Sequence, residues 1–96
     1  MHVMFIGRDK PGQLGLRLSN RETHLAYLAA HGTQIKVAGP YLDEATGEPR
    51  GSLLILEVES LEAARALLAE DPYAVAGLFE TTEIRPWRWV IGVPKG

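Results

Sequence analysis

One histidine, His24, lies in a predicted helix at a position from which its side chain could contact a ligand. His24 follows Arg17 by seven residues and Arg21 by three, so the three side chains share one side of a predicted helix. On a helical wheel His24 lies about 80° from Leu14, at the edge of the apolar stripe and not at its centre. A histidine between core and surface, beside two cations, could serve as a neutral base. The alternative is a half-buried helix residue without chemistry.

A second candidate is Asp71, which directly precedes Pro72. Asp before Pro is a preferred start of a helix, because the carboxylate accepts free backbone N–H groups and proline fits the first helical position. Capping of this kind stabilises a protein by about 1 kcal/mol. Asp71 therefore has a structural explanation as well as a chemical one.

Further positions are candidates for binding a substrate. Arg21 points nearer the centre of the apolar stripe, where an unpaired guanidinium is costly, so we expect it to have a buried partner or to bind an anionic group. We expect Arg17 to lie on a solvated helix face. Gly39-Pro40 could let a ligand approach the backbone, although a strand end explains it equally. Ser52 opens the strongest predicted strand, and a lone serine there is more often structural than a nucleophile.

Several other kinds of site are not indicated. The chain has no cysteine, which excludes disulfides, thiolate ligands and cysteine nucleophiles. Its three histidines include no helical pair four residues apart, so we expect no metal. The glycine-containing segment over 7–12 lacks the Gly-Lys-Ser/Thr ending of a phosphate-binding loop. We therefore expect no cofactor.

The length and net charge of the chain favour some classes of protein over others. The 96 residues carry a net charge of -2 and are 46% hydrophobic, as expected of one small domain spanning residues 1–96. No basic patch of the kind that binds nucleic acid is present. No apolar run approaches the roughly 18 residues that span a bilayer, and the N-terminus lacks a signal-peptide pattern. We expect a cytoplasmic protein.

The elements that must position these residues follow in the order β-α-β-β-α-β. Strands are predicted over 2–8, 35–40, 52–58 and 80–90, and helices over 14–31 and after Ser60, with a short extra helix after Asp71 and a tail over 92–96. This order predicts a ferredoxin-like α+β subunit, with an antiparallel sheet and both helices on one face.

Two of the strands are apolar on both sides. In the segment 53–58 one face carries Leu53 and Ile55 and the other carries Leu54, Leu56 and Val58, and the first strand behaves likewise. Such strands are normally covered on both faces, and the simplest second cover is another copy of the same sheet. We therefore expect a homodimer. Trp87 and Trp89, which share a strand face, would fill its interface or wall a pocket for an aromatic ligand.

A series of short motifs runs along almost the whole chain. They are Asp9-Lys10-Pro11-Gly12, Arg21-x-x-His24-Leu25-x-x-Leu28, Ala38-Gly39-Pro40, Gly51-Ser52-Leu53, Asp71-Pro72-Tyr73 and Pro86-Trp87. Each motif alone is short, but the ordered set resembles the YciI-like (YCII-related) family.

The resemblance implies a ferredoxin-like subunit and a dimer whose sheets pack face to face, related to the dimeric α+β barrels. It also implies a cleft with a histidine and an aspartate proposed as a catalytic pair, which by position match His24 and Asp71. In such a pair His24 would transfer the proton and Asp71 would hold its tautomer.

The resemblance does not fix a substrate. Some members are associated with the breakdown of chlorinated aromatics, and relatives with this barrel include muconolactone isomerase and small monooxygenases. We expect a small dimeric enzyme that uses the His-Asp pair on a small anionic or aromatic molecule. The alternatives are a non-catalytic ligand-binding or accessory dimer and a purely structural dimer.

Overall fold

The computed structural model describes residues 1–93 of the chain. Its strands are β1 (His2–Asp9), β2 (Ile35–Leu42), β3 (Pro49–Glu57) and β4 (Phe79–Trp87). Its helices are α1 (Leu14–Ser19), α2 (Arg21–Ala30), α3 (Leu61–Ala69) and the single-turn α4 (Pro72–Val75). The predicted tail begins at Gly92, and its residues 94–96 lie outside the described part of the chain.

The four strands form one sheet in the order β2-β3-β1-β4, and all neighbouring strands are antiparallel. This is the ferredoxin-like α+β arrangement predicted from the sequence. The strand bounds differ at the ends: β3 begins at Pro49, β2 continues to Leu42, and β4 stops at Trp87.

The core lies between the sheet and the helices. Alternate residues of β1 and β3 point towards the helices, and they pack against α2 and α3 in a single cluster. The buried members of this cluster are Val3, Phe5, Tyr27, Ile35, Leu54, Leu56, Val58, Ala64, Leu67 and Leu68. Both long helices therefore lie on the same face of the sheet, as predicted.

The predicted helix over 14–31 is two helices, and the prediction of one continuous helix is wrong. Asn20 separates α1 from α2, with φ -103° and ψ 3°. Its side-chain amide donates a hydrogen bond to the Leu16 carbonyl at 2.9 Å. Asparagine side chains compete in this way with the backbone for helical hydrogen-bond partners, so one helical wheel does not describe the whole segment.

Only part of the apolar stripe predicted for this segment packs against the core. Leu28 does so, but Leu18 and Leu25 are 56% and 48% exposed, whereas Arg17 and His24 are buried. The sequence predicted an exposed Arg17 and buried leucines. This prediction failed because a period of 3.6 residues shows which residues share a helix face but not which face the rest of the protein covers.

The second face of the sheet carries apolar side chains that no helix covers. The cross-strand pairs Met4–Ile55 and Ile6–Leu53 lie on this face, opposite to the core pairs. Val37 pairs with Ile55 on the neighbouring strand and is 39% exposed.

Among the helices of the described residues, none is long and apolar enough to cross a bilayer.

Candidate active site

His24 lies on α2 with its ring between the helices and the sheet, and it is only 7% exposed. Its Nδ1 atom is 2.8 Å from the Oδ1 atom of Asp71. Because a carboxylate only accepts hydrogen bonds, Nδ1 carries the hydrogen in this contact. In the neutral ring, Nε2 is then the nitrogen with a free lone pair.

Asp71 caps α4 and contacts His24 with the same oxygen. Its Oδ1 atom accepts the backbone N–H of Tyr73 at 3.0 Å as well as the imidazole of His24. The side chain is 1% exposed, and its Oδ2 atom has no hydrogen-bond partner among the described residues. The capping and orienting roles considered for Asp71 are therefore combined in one atom, which fixes the imidazole relative to the start of α4.

Tyr73 is a member of the site that the sequence reasoning did not select. Its ring stacks on the His24 imidazole, with centroids 3.9 Å apart and planes 17° apart. Burial raises the pKa of Tyr73, and the nearby Arg17 charge acts in the opposite direction without cancelling this effect. Its phenol is therefore a neutral group near physiological pH. The available signal was its position two residues after Asp71, within the first turn of the predicted short helix.

Arg17 is buried in the same region, so the prediction of a solvated Arg17 is wrong. Its Nε and Nη2 atoms donate to the two carboxylate oxygens of Asp9 at 2.6 and 2.8 Å. Nη2 also donates to the Ser52 hydroxyl at 2.9 Å, and the guanidinium carbon lies 4.5 Å from the centre of the Tyr73 ring. Burial alone would lower the pKa of Arg17, but the contacts with Asp9 outweigh it and the pKa is raised.

Arg21 is exposed at the edge of the site, so the prediction that its side chain points nearer the centre of the apolar stripe is wrong. Its side chain contributes to the wall of a cleft. No ion pair joins Arg21 to another described residue. The guanidinium is therefore available at the cleft entrance, whereas the buried partner belongs to Arg17.

The cleft has a volume of about 380 Å³ and lies between the α1–α2 segment, β2 and α4. Its walls are Arg17, Leu18, Arg21, His24, Leu25, Leu28, Ala38, Gly39, Pro40, Leu42, Pro49, Ser52 and Tyr73. The structure thus brings together His24, Arg21, Gly39, Pro40 and Ser52, all of which the sequence selected. Asp71 lies behind His24 and is not part of the wall.

Two smaller features of the sequence prediction concern Gly39 and the tryptophans. A Cβ atom on Gly39 would meet no atom within 4 Å, so the space beside this backbone is open. Trp87 and Trp89 pack against each other and against His2, with centroid distances of 5.4 Å and 5.6 Å for the Trp–Trp and His2–Trp89 pairs. Neither tryptophan contributes to the cleft wall.

Within residues 1–93, no three histidine or acidic side chains cluster as a metal site requires.

Residues 1–88 match the model of the YCII-related domain. The chain belongs to the YCII-related family. It is 36% identical to the protein YciI of Escherichia coli O6:H1, over 94% of this chain and 99% of that protein. It is 34% identical to an uncharacterised protein of Haemophilus influenzae, with the same coverage.

Solved structures share the fold of this YCII-related chain. The 5-chloro-2-hydroxyhydroquinone dehydrochlorinase of Burkholderia phenoliruptrix AC1100, in complex with 2,5-dihydroxybenzoquinone, has a TM-score of 0.87 and 37% identity. The similarity covers 92% of this chain and 94% of that one. SnoaB, a cofactor-independent oxygenase of Streptomyces nogalater, has a TM-score of 0.64 and 16% identity over 95% of this chain and 97% of SnoaB, and it supports the fold alone.

Proposed function

We propose that the cleft binds a small oxygenated organic molecule, aromatic or anionic, and that His24 exchanges a proton with it. The observation that carries this proposal is the 2.8 Å contact between His24 Nδ1 and Asp71 Oδ1 at the base of the cleft. A histidine oriented by a buried carboxylate is one arrangement that acid–base catalysis uses. The relation to a dehydrochlorinase that binds a dihydroxybenzoquinone supports the choice of ligand class.

The roles follow from the chemistry of the side chains. Asp71 accepts the Nδ1 hydrogen and holds the tautomer in which Nε2 is unprotonated. Nε2 would then take a proton from a hydroxyl group or an acidic carbon of the ligand. In an isomerisation the protonated ring returns this proton at another position of the ligand. In an elimination the electron pair left behind forms a double bond as a group such as chloride departs with its bonding electrons, and the ring gives its proton to water. The leucines that line the cleft suit an apolar ring, and Arg21 at the edge suits an anionic substituent.

The test is binding and turnover by a matched pair of histidine variants. The wild-type protein and the H24Q and H31Q variants are titrated with 2,5-dihydroxybenzoquinone by calorimetry, and release of chloride from chlorinated hydroxyhydroquinones is measured. His31 contacts Tyr27 outside the cleft, so H31Q is the control. We expect H24Q to react at least 100-fold more slowly, as for loss of a general acid–base, while H31Q behaves as wild type.

The outcomes separate the catalytic function from the non-catalytic, ligand-binding function. Retained turnover in H24Q contradicts the catalytic role of His24. Binding without turnover in the wild-type protein, for every compound of this class, favours the non-catalytic ligand-binding protein. Failure of the wild-type protein to bind any of them contradicts both the site and the ligand class.

We also propose that the protein is a homodimer in which the uncovered sheet faces pack together. The support is a group of apolar side chains on this face, beside the charged Glu83 and Arg85 of β4. The group consists of Met4, Ile6, Val37, Leu53 and Ile55. Burial of such a face removes apolar surface from water, at about 25 cal/mol per Å². Light scattering at micromolar concentration should give twice the 10.5 kDa mass of the chain. A monomeric mass would contradict the dimer, and L53K should give monomers.

A further inference from the structure

The buried ion pair below the cleft uses most of the hydrogen-bond donors of Arg17. Nε has one hydrogen, which goes to Asp9, and Nη2 has two, which go to Asp9 and to the Ser52 hydroxyl. Arginine has no acceptor. In the contact with Arg17, the Ser52 oxygen must therefore accept, and the hydrogen of the hydroxyl must point elsewhere.

No acceptor for this hydrogen is found among the described residues. The side-chain hydrogen bonds of the described chain include Ser52 only as the acceptor from Arg17. Ser52 is 2% exposed, yet it forms part of the cleft wall together with His24. A buried hydroxyl hydrogen without an acceptor is unfavourable. An oxygen atom of a ligand in the cleft would satisfy it.

The ion pair also sets the strength of this donor. A hydroxyl that accepts a hydrogen bond from a cation is polarised and becomes a better donor itself. The bidentate contact with Asp9 holds the guanidinium in place, since both partners are almost fully buried. Among the described residues, no base accepts the hydrogen of the Ser52 hydroxyl, so nothing activates this serine as a nucleophile.

Resting on the function proposed above, we infer that the Ser52 hydroxyl donates a hydrogen bond to a ligand oxygen that becomes negative as His24 removes a proton. The ligands of the site are then phenols, enols and hydroxyquinones, in which an oxygen is conjugated to the reacting position. Arg17 and Asp9 are positioning residues, which act on the ligand through Ser52.

The test uses 4-nitrophenol, whose neutral and ionised forms absorb at different wavelengths. Spectra of the bound probe are recorded against pH for the wild-type protein and for S52A, S52T and S60A. Ser60 caps α3, where its hydroxyl accepts from the Ala63 N–H at 3.0 Å, so S60A is a serine-to-alanine control away from the cleft. We expect the wild type, S52T and S60A to hold a ratio of phenolate to phenol about tenfold higher than S52A does, as for one hydrogen bond to a charged oxygen.

Equal ratios in S52A and the wild type would overturn the inference and leave the proposed function intact. An equal loss in S52T and S52A would also overturn it, since S52T keeps the hydroxyl. A wild-type protein that binds 2,5-dihydroxybenzoquinone but not 4-nitrophenol would overturn the part of the inference that assigns phenols to the site. Failure to bind either compound would overturn the inference together with the proposed function.

The positioning role of Arg17 is tested with a separate variant. Lysine cannot make the forked contact with Asp9 and reach Ser52 at once, so R17K should lower the phenolate ratio as S52A does. The double variant S52A/R17K should be no worse than S52A, because the two side chains act through one contact. Independent, multiplying effects in the double variant would show that Arg17 acts on the ligand by another route.

Discussion

The two long helices on the sheet bury opposite kinds of residues. Helix α3 buries Ala64, Leu67 and Leu68, as an amphipathic helix in a globular core does. Helix α2 buries His24 and Tyr27 and leaves Leu25 half exposed at the cleft. Burial of polar groups requires partners that satisfy them, and α2 has these in Asp71 and the Leu67 carbonyl. Helix α3 therefore contributes its buried side chains to the core, whereas α2 contributes Tyr27 to the core and His24 to the site.

The largest effect expected from this comparison is on stability. Replacement of Leu68 by alanine removes a buried side chain of α3, and it should lower the free energy of unfolding by about 3 kcal/mol. The same change at Leu25 should cost less than about 1 kcal/mol, because this side chain is half exposed. Urea unfolding of L68A and L25A measures both values. Equal costs would contradict the assignment of the two helices to different roles.

The second effect concerns Tyr27, whose hydroxyl donates to the Leu67 carbonyl at 2.6 Å and so ties α2 to α3. Y27F should destabilise the protein by about 1 kcal/mol, the usual value for one such hydrogen bond. The pKa of Tyr27 is raised above its ordinary value of 10.0, mainly by burial. Above about pH 10 the Tyr27 hydroxyl loses its proton in the unfolded chain but keeps it in the folded protein. The free energy of unfolding should therefore fall as the pH rises beyond about 10.

The control for this pH dependence is the Y27F variant itself. Its stability should fall less steeply above pH 10, and the remaining slope includes Tyr73, whose pKa burial also raises. Unfolding midpoints measured between pH 8 and pH 11 test the sign. An equally steep fall in Y27F and the wild type would place the titrating group elsewhere.

The smallest effect is expected at Arg21, which is exposed at the edge of the cleft. R21M should leave the free energy of unfolding within about 0.5 kcal/mol of wild type, as for most surface changes. It should weaken binding of an anionic ligand several-fold, and this difference should shrink at high salt because exposed charges are screened. Arg65, exposed on α3, provides the matched control R65M. Equal effects of R21M and R65M on binding would exclude a specific role for Arg21.

The parts of this molecule that could be predicted from sequence are those governed by local rules. The order of strands and helices along the chain, the start of α3 after Ser60 and the Asp71 cap follow from patterns a few residues long. The burial of Arg17 and the exposure of Arg21 could not be predicted in this way. Arg17 is buried against Asp9, which lies on the preceding strand β1, and a helical wheel shows only contacts within one helix. The ordered motifs selected His24 and Asp71, but the stacking of Tyr73 on the imidazole depends on how α4 meets α2.

The measurement that tests the account most directly is ¹H–¹⁵N NMR of the histidine rings during titration with 2,5-dihydroxybenzoquinone. The chain has three histidines, so His2 and His31 serve as internal controls for His24. We expect the neutral His24 ring to carry its hydrogen on Nδ1 and its Nε2 signal to move on ligand binding, while the other two rings respond little. A hydrogen on Nε2 of free His24, or a ligand response confined to His2 or His31, would contradict the assignment of the His24–Asp71 pair as the functional centre.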